Sequence, residues 1–426
     1  MRVLFFCEIG DPGVGSSTRQ MYGLARELRA RGHQTAAVAT VRRAEDATPT
    51  QIEGMTVFRL HSDYSLRWRG WVSLHNRQID GPLAAVLAEW RPDVVHAHLV
   101  HTHIGYHALT QARAAGAAVV FTSHDAMTFC YQKLTCFHGG EEHGGRLDDV
   151  EAYAAKCIPC QRFRFRPGRN RRIRAVLERD VQRVTTVSDE LGRVMKANGL
   201  PVHRTVHNAL ETADELPSAE ALRRFRETHG LVGAQVLAIG GRLHEQKGVG
   251  KLLKMLQILA PEFPDLRLIV MGKREIYDDE FEPQAAALGV ADRVVPTGWL
   301  GPDELPLAYG ITDVFVTPSL CFDTFGLVNL EAMEQSKPVV ATTFGGSREV
   351  VAHGESGFIE NPFDVEAYAA RIGELLRDPD RARSMGEEGR RRLMEHFTIR
   401  RLADEFLEEY HAALAAVGIS ETASTS

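Results

Sequence analysis

The 426-residue chain is too long for one ordinary domain and has room for two cores of ordinary size. A hydrophobic fraction of 44%, a charged fraction of 25% and a net charge of −6 fit a globular protein with no general pull toward nucleic acid. No apolar run reaches ~18 residues, so no membrane-spanning helix is expected, and the first apolar run is too short for a secretory signal. The six cysteines are therefore expected in a reducing cytoplasm.

Arg2–Cys7 reads as a continuous apolar strand, followed by a loop holding Gly13 and Gly15. Met21, Leu24, Ala25 and Leu28 then recur at helical spacing, and 34–39 is the next strand. Continuous apolar strands joined by a helix argue for a parallel sheet. Gly13-x-Gly15-x-x-Thr18 lacks the third glycine of a dinucleotide fingerprint, and Thr40-Val41-Arg42 puts no acid at the end of the second strand. NAD is not expected; what remains is a loop whose backbone a ligand can approach closely. Further strands are expected at 94–97 and 118–122, the latter running into Ser123-His124-Asp125. His124 thus stands at a strand's carboxyl end, where parallel sheets carry their ligand sites. Five histidines fall between 91 and 107, but strand alternation puts His96 and His98 on one face as packing or cleft residues, and no carboxylate or cysteine in that run completes a metal site.

The segment 126–175 reads as an insert. Cys130 and Cys136, then Cys157 and Cys160, form two close pairs with the ligand chemistry of a tetrahedral thiolate zinc site. Four thiolates leave no open position, so that zinc would be structural; free thiols in a mobile loop are the alternative. The stretch 138–146, rich in Gly, His and Glu, has no core pattern. Seven arginines with two interleaved phenylalanines follow at 162–174, a basic patch suited either to an anionic or membrane-borne partner or to a solvated helix face. The first half closes with strands at 183–188 and 206–209, and a polar linker runs over 211–230.

A second strand–helix series follows, with strands at Gln235–Gly240, Leu266–Met271, 293–297, 313–317 and 338–342. The first ends in Gly240-Gly241-Arg242-Leu243-His244-Glu245-Gln246-Lys247-Gly248, which places Arg242 and Lys247 at one spot on the sheet's carboxyl edge. Two cations there stabilise charge on a leaving diphosphate. The fourth strand leads through Pro318 and Asp323 to Phe325-Gly326 and a helix carrying Glu331. Strand, glycine turn and helix start offer free N–H groups and a positive dipole end to a phosphate, while carboxylates suit sugar hydroxyls. Phosphate cradle and hydroxyl acceptors together indicate a nucleotide sugar.

Gly241-Arg242-Leu243-x3-Lys247-Gly248 with Phe325-Gly326-Leu327-x3-Glu331-Ala332-Met333 resembles the retaining family 4 glycosyltransferases of GT-B fold. The likeness extends to the N-terminal glycine loop, Arg31-Gly32-His33, the strand from Asp93 to His98, Ser123-His124-Asp125 and Val187-Ser188. It implies an α/β chain of two doubly wound Rossmann-like domains facing across a cleft. Their expected bounds are 1–208 for the acceptor, 209–396 for the nucleotide sugar, a helix at 397–418 returning to the first domain, and a disordered tail at 419–426. It implies retaining transfer from a nucleoside-diphosphate sugar to an acceptor hydroxyl, with no cofactor required for catalysis.

By resemblance, His124, Asp323, Arg242 and Lys247 are the catalytic set. Gly15, Gly241, Arg242, Lys247, Phe325, Gly326, Leu327 and Glu331 bind the donor, with Glu331 on the ribose and His124 near the reacting sugar carbon. The family's first carboxylate of a Glu-x7-Glu pair is here Asp323, one methylene shorter. An epimerase or hydrolase on the same fold, and a non-catalytic module built around the cysteines, are the alternatives. A cytoplasmic location, peripheral to the inner membrane face through 162–174, completes the expectation.

Overall fold

The structure is a computed structural model that describes residues 1–132, 134–137, 149–213 and 215–418. The glycine-rich run at 138–146 lies outside the described residues, as does the tail beyond Gly418. The chain divides into two compact units, one of residues 1–134, 150–209 and 399–426, the other of residues 135–149 and 210–398.

The first unit is built on eight strands: β1 (Arg2–Cys7), β2 (Gln34–Val41), β3 (Thr50–Ile52), β4 (Met55–His61), β5 (Val94–Leu99), β6 (Ala118–Ser123), β7 (Arg183–Thr186) and β8 (Arg204–Thr205). Their order is β3-β4-β2-β1-β5-β6-β7-β8, parallel throughout except the β3–β4 pair. β1 is central and entirely buried after Arg2, which is why it reads as an unbroken apolar run. The β3–β4 hairpin was not expected from the sequence, and 206–209 is not a strand: pairing stops at Thr205. The backbone of Ala209 instead exchanges two hydrogen bonds with the Gln20 side chain, at 2.8 and 2.6 Å.

The helix Ile399–Ala416 belongs to this first unit although the whole second unit precedes it in the chain. Its Leu402, Ala403, Phe406, Tyr410 and Leu414 join the core formed by Val3, Phe5, Tyr22 and Leu24. Burying side chains of this size contributes about 2 kcal/mol apiece. Glu409, buried on the same helix, takes a two-pronged pair from Arg183 at 2.6 and 3.2 Å.

The second unit holds β9 (Gln235–Gly240), β10 (Leu266–Met271), β11 (Val294–Gly298), β12 (Val314–Thr317), β13 (Val339–Thr342) and β14 (Gly357–Glu360), all parallel, in the order β11-β10-β9-β12-β13-β14. β14 was not expected from the sequence. In each unit the chain builds outward from a central strand in one direction and then in the other. The order reverses between β1 and β5 in the first unit and between β9 and β12 in the second.

Candidate active site

Open parallel sheets bind ligands beyond the carboxyl ends of their strands where the order reverses. In the second unit that point lies between β9 and β12, and the two loops leaving these strands are tied together. The N–H groups of Leu320 and Cys321 donate to the Gln246 carbonyl at 2.8 and 3.3 Å. Gly248, at φ +76°, lets the first loop pass Pro318; a Cβ there would lie 1.9 Å from the Pro318 carbonyl oxygen. The Lys247 ammonium then donates to Asp323 Oδ2 at 2.8 Å, and Ser319 Oγ approaches the same oxygen at 3.4 Å.

Burial works against the Asp323 carboxylate, but Lys247, Ser319 and the Phe325 N–H outweigh it and hold the carboxyl below its usual range. Burial likewise works against the Lys247 ammonium, and Asp323 raises it above its usual range despite neighbouring Arg242. The pair is charged together at neutral pH. Arg242 is exposed and has no hydrogen bond or ion pair among the described residues.

From Asp323 the chain reaches Gly326 and enters the helix Leu327–Glu334, whose first turn has no side-chain cap. Its leading N–H groups are left for a ligand or solvent. Gly326 has φ +84°, and an added Cβ would sit 2.7 Å from Asn329 Nδ2. Buried Asn329 accepts from Thr317 Oγ1 at 2.9 Å and so pins the helix to the end of β12. One turn past the helix start, buried Glu331 accepts from the Tyr309 hydroxyl at 2.7 Å. Lys247, Asp323, Gly326 and Glu331 are thus gathered on one edge of one sheet. Asn329, Ser319 and Tyr309, which hold them, were not singled out from the sequence; Tyr309 is 22 positions from its partner and leaves no local signal.

In the first unit the order reverses between β1 and β5. Gly15, at φ +83°, opens the helix Ser16–Ala30 beyond β1, again without a side-chain cap. His124, just past β6, shares a proton with His98: Nε2 and Nδ1 are 2.9 Å apart and the rings stack at 5.0 Å. Burial, with His101 adding to it and Asp125 opposing, pushes His124 down to about 4. His96 contacts the His98 ring at 4.1 Å between centroids and hydrogen-bonds Tyr410 and Thr122 at 2.8 and 2.7 Å. Both strand histidines are buried, in keeping with a packing and cleft role.

Glu8 was not singled out from the sequence. It follows β1 at the reversal point, and its carboxyl accepts from the Thr102 N–H at 2.6 Å. Burial pushes it up to about 7, against three opposing backbone N–H groups at Thr102, His103 and Ile104.

None of the four cysteines of the expected zinc set forms a disulfide among the described residues. Cys157 and Cys160 lie one turn apart on the helix Ala154–Gln161; Cys130 is half-buried and Cys136 exposed.

The model of the glycosyltransferase family 4 domain matches residues 17–214, and that of the glycosyl transferases group 1 domain matches residues 223–392. The chain belongs to the family 4 glycosyltransferases. Among curated members, it is 36% identical over 180 residues to the GDP-mannose-dependent alpha-(1-6)-phosphatidylinositol monomannoside mannosyltransferase of Mycolicibacterium smegmatis, a match covering 41% of this chain and 47% of that one. It is 35% identical over 191 residues to the alpha-maltose-1-phosphate synthase of the same organism, covering 42% and 48%. The chain thus spans about half the length of these two relatives.

Solved structures share the fold at lower identity. Sucrose-phosphate synthase of Thermosynechococcus elongatus superposes with a TM-score of 0.75 at 19% identity, covering 97% of this chain and 99% of that one. Anabaena HepE in complex with UDP and glucose superposes with 0.71 at 19% identity, covering 96% and 99%. The fold is the GT-B arrangement of two Rossmann-like domains. Among the described residues, no helix is long and apolar enough to cross a membrane.

Proposed function

We propose that the protein moves a sugar from a nucleoside-diphosphate sugar to an acceptor hydroxyl, with retention at the transferred carbon. The observation carrying this reading is the Lys247–Asp323 pair beside the uncapped start of Leu327–Glu334, at the β9/β12 reversal point. Breaking the sugar–phosphate bond leaves negative charge on the diphosphate. Arg242, Lys247 and the N–H groups of Gly326 and Leu327 would stabilise that charge, and fixed donors of this kind supply several kcal/mol. Glu331, held by Tyr309, accepts from the ribose hydroxyls. Gly241 and Gly15 let the backbone approach the diphosphate. His124, neutral over the working pH range, offers a ring nitrogen to the transferred sugar. Asp323 serves chiefly to position Lys247, with Ser319 as its second support.

The curated relative named for GDP-mannose and the HepE complex with UDP and glucose suggest where to begin. GDP-, UDP- and ADP-sugars should be ranked by thermal shift, since a bound donor raises the melting temperature by mass action. One nucleotide class should stabilise the wild type and leave Lys247→Ala unmoved; equal stabilisation of both would remove this site from consideration. Proton NMR of the product's anomeric centre then reads retention directly.

Two further readings stand as proposals. Cys130, Cys136, Cys157 and Cys160 supply a structural zinc, which metal analysis of protein purified without chelator tests. The acceptor is anionic or membrane-borne and meets the basic run at 162–174.

A further inference from the structure

The arginine run does not stand alone. Arg166 donates to the Trp71 carbonyl at 2.9 Å and lies 4.7 Å over the Trp71 ring. A Cβ on Gly70 would be 3.0 Å from the Arg164 carbonyl oxygen. These contacts join 162–166 to a distant segment, the short turn Leu66–Trp68 and the single helical turn Arg69–Val72. That segment shows large apolar side chains to solvent: Leu66 is 53% exposed, Trp68 and Trp71 each 43%, and Phe163 on the neighbouring run 68%. Four such side chains within two touching segments are more than the scattered apolar exposure of an ordinary surface.

The charge on this surface is of one sign. Residues 64–79 and 162–177 contain ten arginines, all but buried Arg169 at least partly exposed, and no Asp or Glu, in a chain whose net charge is −6. Many surface arginines elsewhere are paired, as in Arg223 with Glu220 and Arg391 with Glu388. Here only Arg174, on Glu178, has an acid partner among the described residues. Arg67 lies 5.3 Å from the Trp68 ring and Arg164 5.6 Å from the Phe163 ring, so cation and aromatic ring share the same outward position.

We infer that this face of the first unit docks on an anionic lipid bilayer, with Leu66, Trp68, Trp71 and Phe163 entering the interface and the arginines meeting lipid phosphates. Tryptophan and phenylalanine settle at the headgroup boundary, and each nearby Arg adds attraction to an anionic leaflet. Nucleic acid or an acidic protein would account for the charge alone; outward-facing Leu66 and Phe163 favour lipid. If the proposed transfer is correct, the acceptor is a headgroup hydroxyl on that bilayer, and this extension rests on that reading.

The test uses flotation of the full-length protein with vesicles of phosphatidylcholine alone and of phosphatidylcholine mixed with phosphatidylglycerol. Binding is expected only to the mixed vesicles, weakening with salt and accompanied by a blue shift of tryptophan emission. Arg162→Ala and Arg164→Ala should each weaken partition about fivefold. Trp68→Ser with Trp71→Ser should abolish the blue shift, and Phe163→Ser alone, on a side chain already in solvent, should weaken binding without loss of fold. Donor-induced thermal shift of each variant should match the wild type, which keeps failure of docking distinct from failure of the donor site. No binding to mixed vesicles, equal binding to both kinds, or complete displacement by RNA would overturn the inference.

Discussion

The Lys247 ammonium pairs with Asp323, whereas Arg242 has no hydrogen bond or ion pair among the described residues, so removing each cation is expected to fail in a different way. Arg242→Ala is expected to lower kcat/KM by about 100-fold with the melting temperature unchanged. Lys247→Ala should lose activity to a similar extent but also stability, because it strands Asp323 as a buried unpaired charge. The double variant Lys247→Ala/Asp323→Asn should regain the melting temperature and remain inactive. A double variant as unstable as Lys247→Ala would show that the two side chains are not energetically coupled.

At Glu8 the sign runs the other way from an ordinary ion pair. Its carboxyl is pushed up to about 7, so the folded protein holds a proton there that the unfolded chain releases near 4.5. Stability contributed by that proton is complete below about 4.5 and is lost as pH rises through about 7, a span worth roughly 3 kcal/mol. Denaturant unfolding of Glu8→Gln against wild type should show the variant gaining relative stability across this window. A difference that stays flat with pH would refute the assignment.

Among the elements, glycines decide how closely the two site loops approach. Gly248→Ala must place a methyl group against the Pro318 carbonyl in a left-handed backbone, and a loss of at least ~2 kcal/mol is expected in urea unfolding, with donor binding falling in parallel. The legible parts of the sequence were those written locally. β1 is a continuous apolar run after Arg2, β10 is apolar except for Arg267, and Gly326-Leu327 announces a helix start. The β3–β4 hairpin escaped notice because Thr50–Ile52 is short and only half-buried, and β14 because four residues after a turn carry too little pattern. The site positions were readable from strand ends. Their supports were not: Tyr309 and Asn329 lie 22 and 12 positions from the groups they bond, and Ser319, four residues before Asp323, sits in an irregular loop with no pattern to mark it. Glu8 carries no local signal either, because the backbone group it bonds, at Thr102, lies 94 positions away.

On the scale of the molecule, the first unit is assembled from pieces on both sides of the second. Deleting residues 399–418 should expose Phe5, Tyr22 and Leu24 and yield insoluble protein, whereas Tyr410→Phe, which removes only the bond to His96, should cost about 1 kcal/mol. A truncated chain that stayed soluble and cooperative would contradict the shared core.

The same arrangement constrains the order of events at the ribosome. Residues 210–398 are synthesised as an unbroken block and can complete their sheet while the chain is still growing. The sheet of the first unit, though translated earlier, must wait with an apolar face uncovered until Phe406, Tyr410 and Leu414 have emerged. The domain made first is thus the domain finished last, and the interval between the two is when a chaperone would find the most exposed surface to hold.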